Sequence, residues 1–437
     1  MNVKYIIPCL PRPSGCLNWR ILSLILFSLN IMSAATGACQ NTTLKTDSNK
    51  YAYVRHLDTN TISQFRVESG LQPLQPETVK VGYAPSSVAS DRFGRFVYVV
   101  NQGDTTISQF RIGSKGVLLP LNPSTIEIPQ GVIRLVIHPN GRFLYAVAGN
   151  SSVFQFRIST DGNLVSLIPA SVKTGHAPIS LAISPSGRWL YVLANNESEI
   201  VGHDGSVYGY SISSAGLLTA LPGGNTLDKV VMNFPNRVSV TPDSKYAYVT
   251  AGRNFGGDWM GQGLILLRIA ANGTLQPISS SPSPMATHNT MGQHSSMANH
   301  STVASGSDTV LRMTINAYTD ALGHNFYGIA SARNGDQNIL WHGVLGKDGE
   351  LAVTEKYSIT DTGQLVTMDS ERTTKNTYIN EVVCDTEEHQ LYVLNSSTTG
   401  NIYRYYLEKS GMIKTRSPNV FAVGTSPGEM ILVHRHN

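Results

Sequence analysis

Residues 285–302 read MATHNT MGQHSS MANHST, a Met-x-x-His unit repeated three times with a period of six. It brings Met285, Met291 and Met297 together with His288, His294 and His300. Thioether sulfur suits Cu(I) and imidazole suits both copper states, so the set reads as a copper loop. Zinc fits less well, because methionine is a poor zinc ligand. A slipped repeat in a ligand-free loop would leave the same pattern, and the two readings stand side by side. The Ser, Pro, Asn and Gly content predicts a flexible insertion over residues 279–308.

A second group of residues has anion and acid–base chemistry. Aligning one recurrent segment gives an equivalent position held by Ser86, Arg134, Ser180, Arg237, Arg312, Asn380 and Gly428. Three arginines there read as a clamp, since the guanidinium fork takes two oxygens of a carboxylate or phosphate. The bland counterpart is an arginine paired within its own repeat. Two long loops add polar groups: NNESEIVGHDG with Glu197, Glu199 and His203, and RNFGGDWMGQG with Arg253. A hydrolase needs a base to activate water, and His203, Glu197, Glu199 or His176 offers one. Each is equally a solvated loop tip. The glycine-rich RNFGGDWMGQG has no strand-then-helix setting and is not a phosphate loop.

These positions are equivalent because the chain repeats. An aromatic strand, a polar loop, a second strand and a Gly-containing turn recur seven times. The second tyrosine of each phrase is Tyr53, Tyr98, Tyr145, Tyr191, Tyr248, Tyr327 and Tyr392. The first three steps are 45, 47 and 46 residues. Such a period, built from short alternating strands, predicts an all-β, seven-bladed propeller. The ends predict how it closes. The repeat enters at Tyr51 without an inner strand, and VGTSPGEMILVHR (Val423–Arg435) matches VGYAPSSVASDR (Val81–Arg92). The last residues should therefore complete the first blade and leave no open sheet edge. A propeller concentrates function at its channel mouth, where loops ring a concavity.

Residues 1–38 read as an export signal: basic residues end at Arg20, an apolar run spans Ile21 to Ile31, and small residues follow. Residues 39–50 read as a linker and 51–437 as the propeller. The run is short for a membrane span. A soluble periplasmic or secreted form, a lipid anchor on Cys39 and a retained signal anchor are the three forms this segment allows. Cys9 and Cys16 fall in the signal, so without Cys39 the lone Cys384 forms no internal disulfide. The net charge of +4 falls to near +1 without Lys4, Arg12 and Arg20, which argues against nucleic acid or an anionic membrane as the main partner.

The string SPSGRWLYVLAN, with TTISQFRI and a following Gly-x-Leu-x-Pro-Leu, resembles the seven-bladed β-propeller lactonase family, which includes propeller-type 6-phosphogluconolactonases and muconate-lactonising cyclases. The resemblance covers about residues 51–437. It implies a propeller fold and, at the channel mouth, hydrolysis of a small sugar lactone or related acid. The family's H-x-H-S segment reads APIS, GVIR or FPNR here, and its D-L-G-x-D segment reads LANN, VAGN or TAGR. Two function classes follow: a lactonase, or a non-catalytic scaffold for an anionic ligand, copper or a protein partner.

Overall fold

The computed structural model describes residues 49–128, 131–196, 204–230, 235–251, 264–278, 314–331, 338–347, 351–360, 362–367, 379–396 and 400–435. Among these there is no helix, only 29 strands in seven sheets.

Blade one holds β1 (Asn49–His56), β2 (Thr61–Val67) and β3 (Leu71–Lys80). Blade two is β4 (Pro85–Ser90), β5 (Phe96–Asn101), β6 (Thr106–Ile112) and β7 (Leu118–Glu127). Blade three is β8 (Val132–Ile137), β9 (Phe143–Ala148), β10 (Ser152–Ile158) and β11 (Leu164–Lys173). Blade four is β12 (Pro178–Ile183), β13 (Trp189–Asn196), β14 (Asp204–Ile212) and β15 (Leu218–Val230). Blade five is β16 (Pro235–Val240), β17 (Tyr246–Ala251), β18 (Leu264–Ile269) and β19 (Leu275–Pro277). Blade six has five strands: β20 (Thr314–Thr319), β21 (Asn325–Ser331), β22 (Asn338–Leu345), β23 (Leu351–Ile359) and β24 (Leu365–Thr367). Blade seven is β25 (Ile379–Asp385), β26 (Gln390–Asn395), β27 (Asn401–Leu407) and β28 (Ile413–Ala422).

The last strand, β29 (Pro427–Arg435), pairs antiparallel with β1, from Asn49↔Arg435 to Arg55↔Glu429. The chain ends thus share one sheet, as the match between the two terminal segments predicted. Inner strands touch in the cyclic order β4, β8, β12, β16, β20, β25, β29 and back to β4. Each blade is an antiparallel meander, so its turns alternate between two faces. Turns leaving the inner strand and the third strand gather on one side, called here the turn face. Inner strands begin on the other, the mouth face.

The recurrent tyrosine and glycine clasp neighbouring blades. Tyr53 Oη donates to Gly116 O (2.6 Å), Tyr98 to Gly162 (2.6 Å), Tyr145 to Gly216 (2.7 Å), Tyr191 to Gly273 (2.8 Å) and Tyr327 to Gly411 (3.1 Å). Each buried bond contributes about 1 kcal/mol net. The glycine is required: at Gly162 φ is +92° and a Cβ would lie 2.3 Å from the Phe96 ring. Blade seven departs from the pattern. Tyr392 turns to Gln390, and Arg404 Nη2 donates to Ser69 O (2.6 Å) instead.

Candidate functional site

Every inner strand carries a register shift between its first and third residues, or the partner's equivalent in blade one. Such a bulge re-aims the following side chain. The third residues form one level of the ring: Ser87, Arg134, Ser180, Arg237, Asn316, Glu381 and Glu429. This corrects the alignment drawn from the sequence. Ser86, Asn380 and Gly428 are the bulged residues one step earlier, and the third residue of the blade-six inner strand is Asn316. The alignment had slipped by one residue in blades one, two and seven. The level therefore contains two arginines and two glutamates, not three arginines.

The four charges interact as a set. Arg237 Nη1 lies 3.3 Å from Glu381 Oε1 and 3.3 Å from Asn316 Oδ1, and Nη2 lies 3.6 Å from Glu429 Oε1. The Arg237 guanidinium also stacks 5.2 Å over the Tyr318 ring, and Tyr318 Oη donates to Glu381 Oε1 (3.1 Å). Glu381 Oε2 accepts the Met430 N–H (2.8 Å), and Glu429 Oε2 accepts the Val88 N–H (2.9 Å). Each glutamate thus ties its own inner strand to the next blade. Ser180 plays the same part, accepting the Val238 N–H at 3.2 Å.

Burial opposes the Arg237 charge, but Tyr318, Glu381 and Glu429 outweigh it and raise its pKa. Burial raises the Glu381 pKa, with Arg237 pulling the other way and Glu429 adding to the rise. Arg134 is placed differently. Its Nε is buried and makes no hydrogen bond among the described residues. Burial and then the charge of Arg237 lower its pKa, while Glu429 and Glu381 act on it from a distance. Arg55, on β1, adds a third guanidinium, with Nη1 donating to Pro85 O (2.6 Å). Arg237 is thus held from several sides, whereas Arg134 has a donor to spare.

His176 is exposed on the mouth-face turn leading into β12. His203, Glu197, Glu199, Arg253, Arg312 and the Met285–His300 repeat lie outside the described residues. Among the described residues no cluster of His, Cys, Asp or Glu forms a metal site. Burial pushes the Cys384 thiol up to about 12, which suits a packing role rather than a nucleophile. Sequence reasoning found Arg134 and Arg237 but missed Glu381, Glu429 and Asn316. A signal was present: the third inner-strand residue stands eleven positions before the phrase tyrosine in blades two to seven, so counting back from Tyr392 reaches Glu381.

A family profile described as "Lactonase, 7-bladed beta-propeller" matches residues 134–204. No curated protein matches the sequence. Among solved structures, a candidate 6-phosphogluconolactonase from Bacteroides fragilis NCTC 9343 is 18% identical with a TM-score of 0.62, covering 89% of this chain and 99% of that one. A candidate 6-phosphogluconolactonase from Bacteroides uniformis ATCC 8492 is 15% identical with a TM-score of 0.62, covering 88% and 100%. The periplasmic gluconolactonase of Pseudomonas aeruginosa is 15% identical with a TM-score of 0.61, covering 89% and 99%. At these identities the likeness is one of fold. The chain resembles the seven-bladed lactonase-type propellers in its architecture.

Proposed function

We propose that the protein is an exported lactonase that opens a small sugar lactone at the charged level of its channel. The observation that carries this reading is the buried Nε of Arg134, without a hydrogen bond among the described residues, on the same level of the ring as two glutamates held in place by backbone N–H groups. Glu429 is the base in this reading. Glu381 is 4% exposed and accepts three bonds, whereas the Glu429 side chain is 13% exposed and keeps Oε1 at 3.6 Å from Arg237. Glu429 takes a proton from water, and the hydroxide attacks the lactone carbonyl carbon. Arg134 stabilises the oxyanion that forms, the work preorganised donors do best. The ring C–O bond then breaks, and its oxygen leaves with the proton from Glu429, giving the hydroxy acid.

The non-catalytic reading has one observation in its favour. Arg237 and Glu381 satisfy each other without a ligand, so Arg134 alone would suffice to bind an anion. Acid release in a pH-stat separates the two across sugar and muconate-type lactones. Arg134→Gln and Glu429→Gln should each lose about 100-fold or more of the turnover. No turnover above the spontaneous rate on the whole panel would leave the scaffold reading.

A further inference from the structure

The small net charge of the chain conceals a one-sided distribution. On the turn face, the turn after each inner strand ends in a cation: Arg95, Arg142, Arg188 and Lys245 in blades two to five. All four are exposed. The penultimate residue of the third strand adds Arg111, Arg157 and Arg268, also exposed and paired in register with Phe96, Phe143 and Tyr246. With Arg92 and Lys115, these turns and strand ends carry nine cations against three carboxylates, Asp91, Asp161 and Asp243. Asp91 is buried against Arg95, and Asp243 pairs with Lys245.

The guanidinium groups are also held ready. Arg142 stands 5.7 Å over the Phe143 ring and Arg188 4.9 Å over Trp189. Stacking of this kind fixes a long side chain without neutralising its charge. Two large apolar side chains share the face: Phe93, and Leu322 at 66% exposure. Where blades seven and one meet on this face the charges are paired, Asp385 and Glu388 with Lys50, and Glu387 with His434.

We infer that the turn face across blades two to five docks on an anionic lipid surface, leaving the channel mouth turned away from the bilayer. Charge complementarity is one argument. The other is connectivity: β1 starts at Asn49 on this face, so the preceding chain, with its apolar run from Ile21 to Ile31, joins the fold here. A lipidated Cys39 or a retained signal anchor would tether the fold through this end of β1. Basic side chains near an anionic leaflet each contribute enough to change affinity several-fold, and the effect is screened by salt. The inference does not depend on the lactonase reading.

The test is co-sedimentation of the full chain with phosphatidylglycerol–phosphatidylcholine vesicles, roughly 3:7, and with phosphatidylcholine alone. Binding should require the anionic lipid and fall steeply with added salt. Arg142→Glu with Arg157→Glu should weaken it at least ~10-fold, and so should Arg111→Glu with Lys115→Glu on the neighbouring blade. A wild type indifferent to the anionic lipid overturns the inference. So does either folded variant sedimenting like wild type, because the anchor would then be doing the binding alone.

Discussion

Arg237 and Arg134 occupy equivalent positions, yet their substitution should have opposite consequences. Removing Arg237 leaves Glu381 buried, with its side chain 4% exposed and Tyr318 and the Met430 N–H as the remaining donors. Breaking a buried pair from one side costs about 3–5 kcal/mol. The Arg237 side chain is itself 21% exposed, and water entering its place lowers the expected loss to about 2–3 kcal/mol. Arg237→Ala should therefore destabilise by about that amount in urea unfolding. Glu381→Gln in the same background removes the stranded charge and should restore at least ~1 kcal/mol, a positive coupling in a double-mutant cycle. Arg134→Gln removes a guanidinium with an idle Nε, so its unfolding free energy should stay within about 0.5 kcal/mol of wild type or rise. Equal losses for Arg134→Gln and Arg237→Ala, with no recovery on adding Glu381→Gln, would refute the division between a structural and an available arginine.

Three further outcomes are expected. Truncation after Val423 removes β29, strands the backbone edge of β1, and deletes the buried Met430 and Val433 side chains, worth about 1.5–3 kcal/mol each; against a typical 5–15 kcal/mol total, calorimetry should show no native transition, and a preserved one would rule out closure by this strand. His56 is buried with Nδ1 donating to Thr425 O (2.8 Å) and Nε2 accepting from Ser63 (2.8 Å), and burial lowers its pKa. The unfolded chain takes the proton first, so stability is full above the ordinary histidine range and is lost as pH falls through it. His56→Asn, the residue blade two uses at Asn101, should reduce that acid loss by about 1 kcal/mol, and an unchanged pH profile of melting would count against it. Replacing the three methionines and three histidines of residues 285–302 should abolish Cu(I) capture from a coloured chelator; equal capture by the variant ends the copper reading.

The fold was legible because the residues that repeat are the residues that join blades. Tyr98 and Gly162 recur since each is one half of a clasp, and neither tolerates replacement without loosening a neighbour. Closure was legible for the same reason, since β29 must offer β1 the register that β4 offers β5. The site was half legible. Arg134 and Arg237 are conspicuous as isolated cations in apolar strands. Glu381 and Glu429 were passed over because the alignment slipped by one residue in their strands, although Glu381 keeps the common spacing of eleven to Tyr392. Charge distribution was the other blind spot. A net value near zero says nothing of nine cations placed at one set of turns, because opposite charges elsewhere cancel them in the sum but not in space.

The carboxylate assigned as base sits on the strand that closes the ring. Glu429 is eight residues from the end of the chain, and its partners Val88 and Arg237 wait on blades made long before it. During synthesis from the N-terminus, six blades can assemble while the channel still lacks this group. Completion of the fold and completion of the site are then a single event, set by the arrival of the final strand. A chain halted before residue 429 is both unsealed and without this carboxylate, so in the proposed reaction a partly made molecule would have no base.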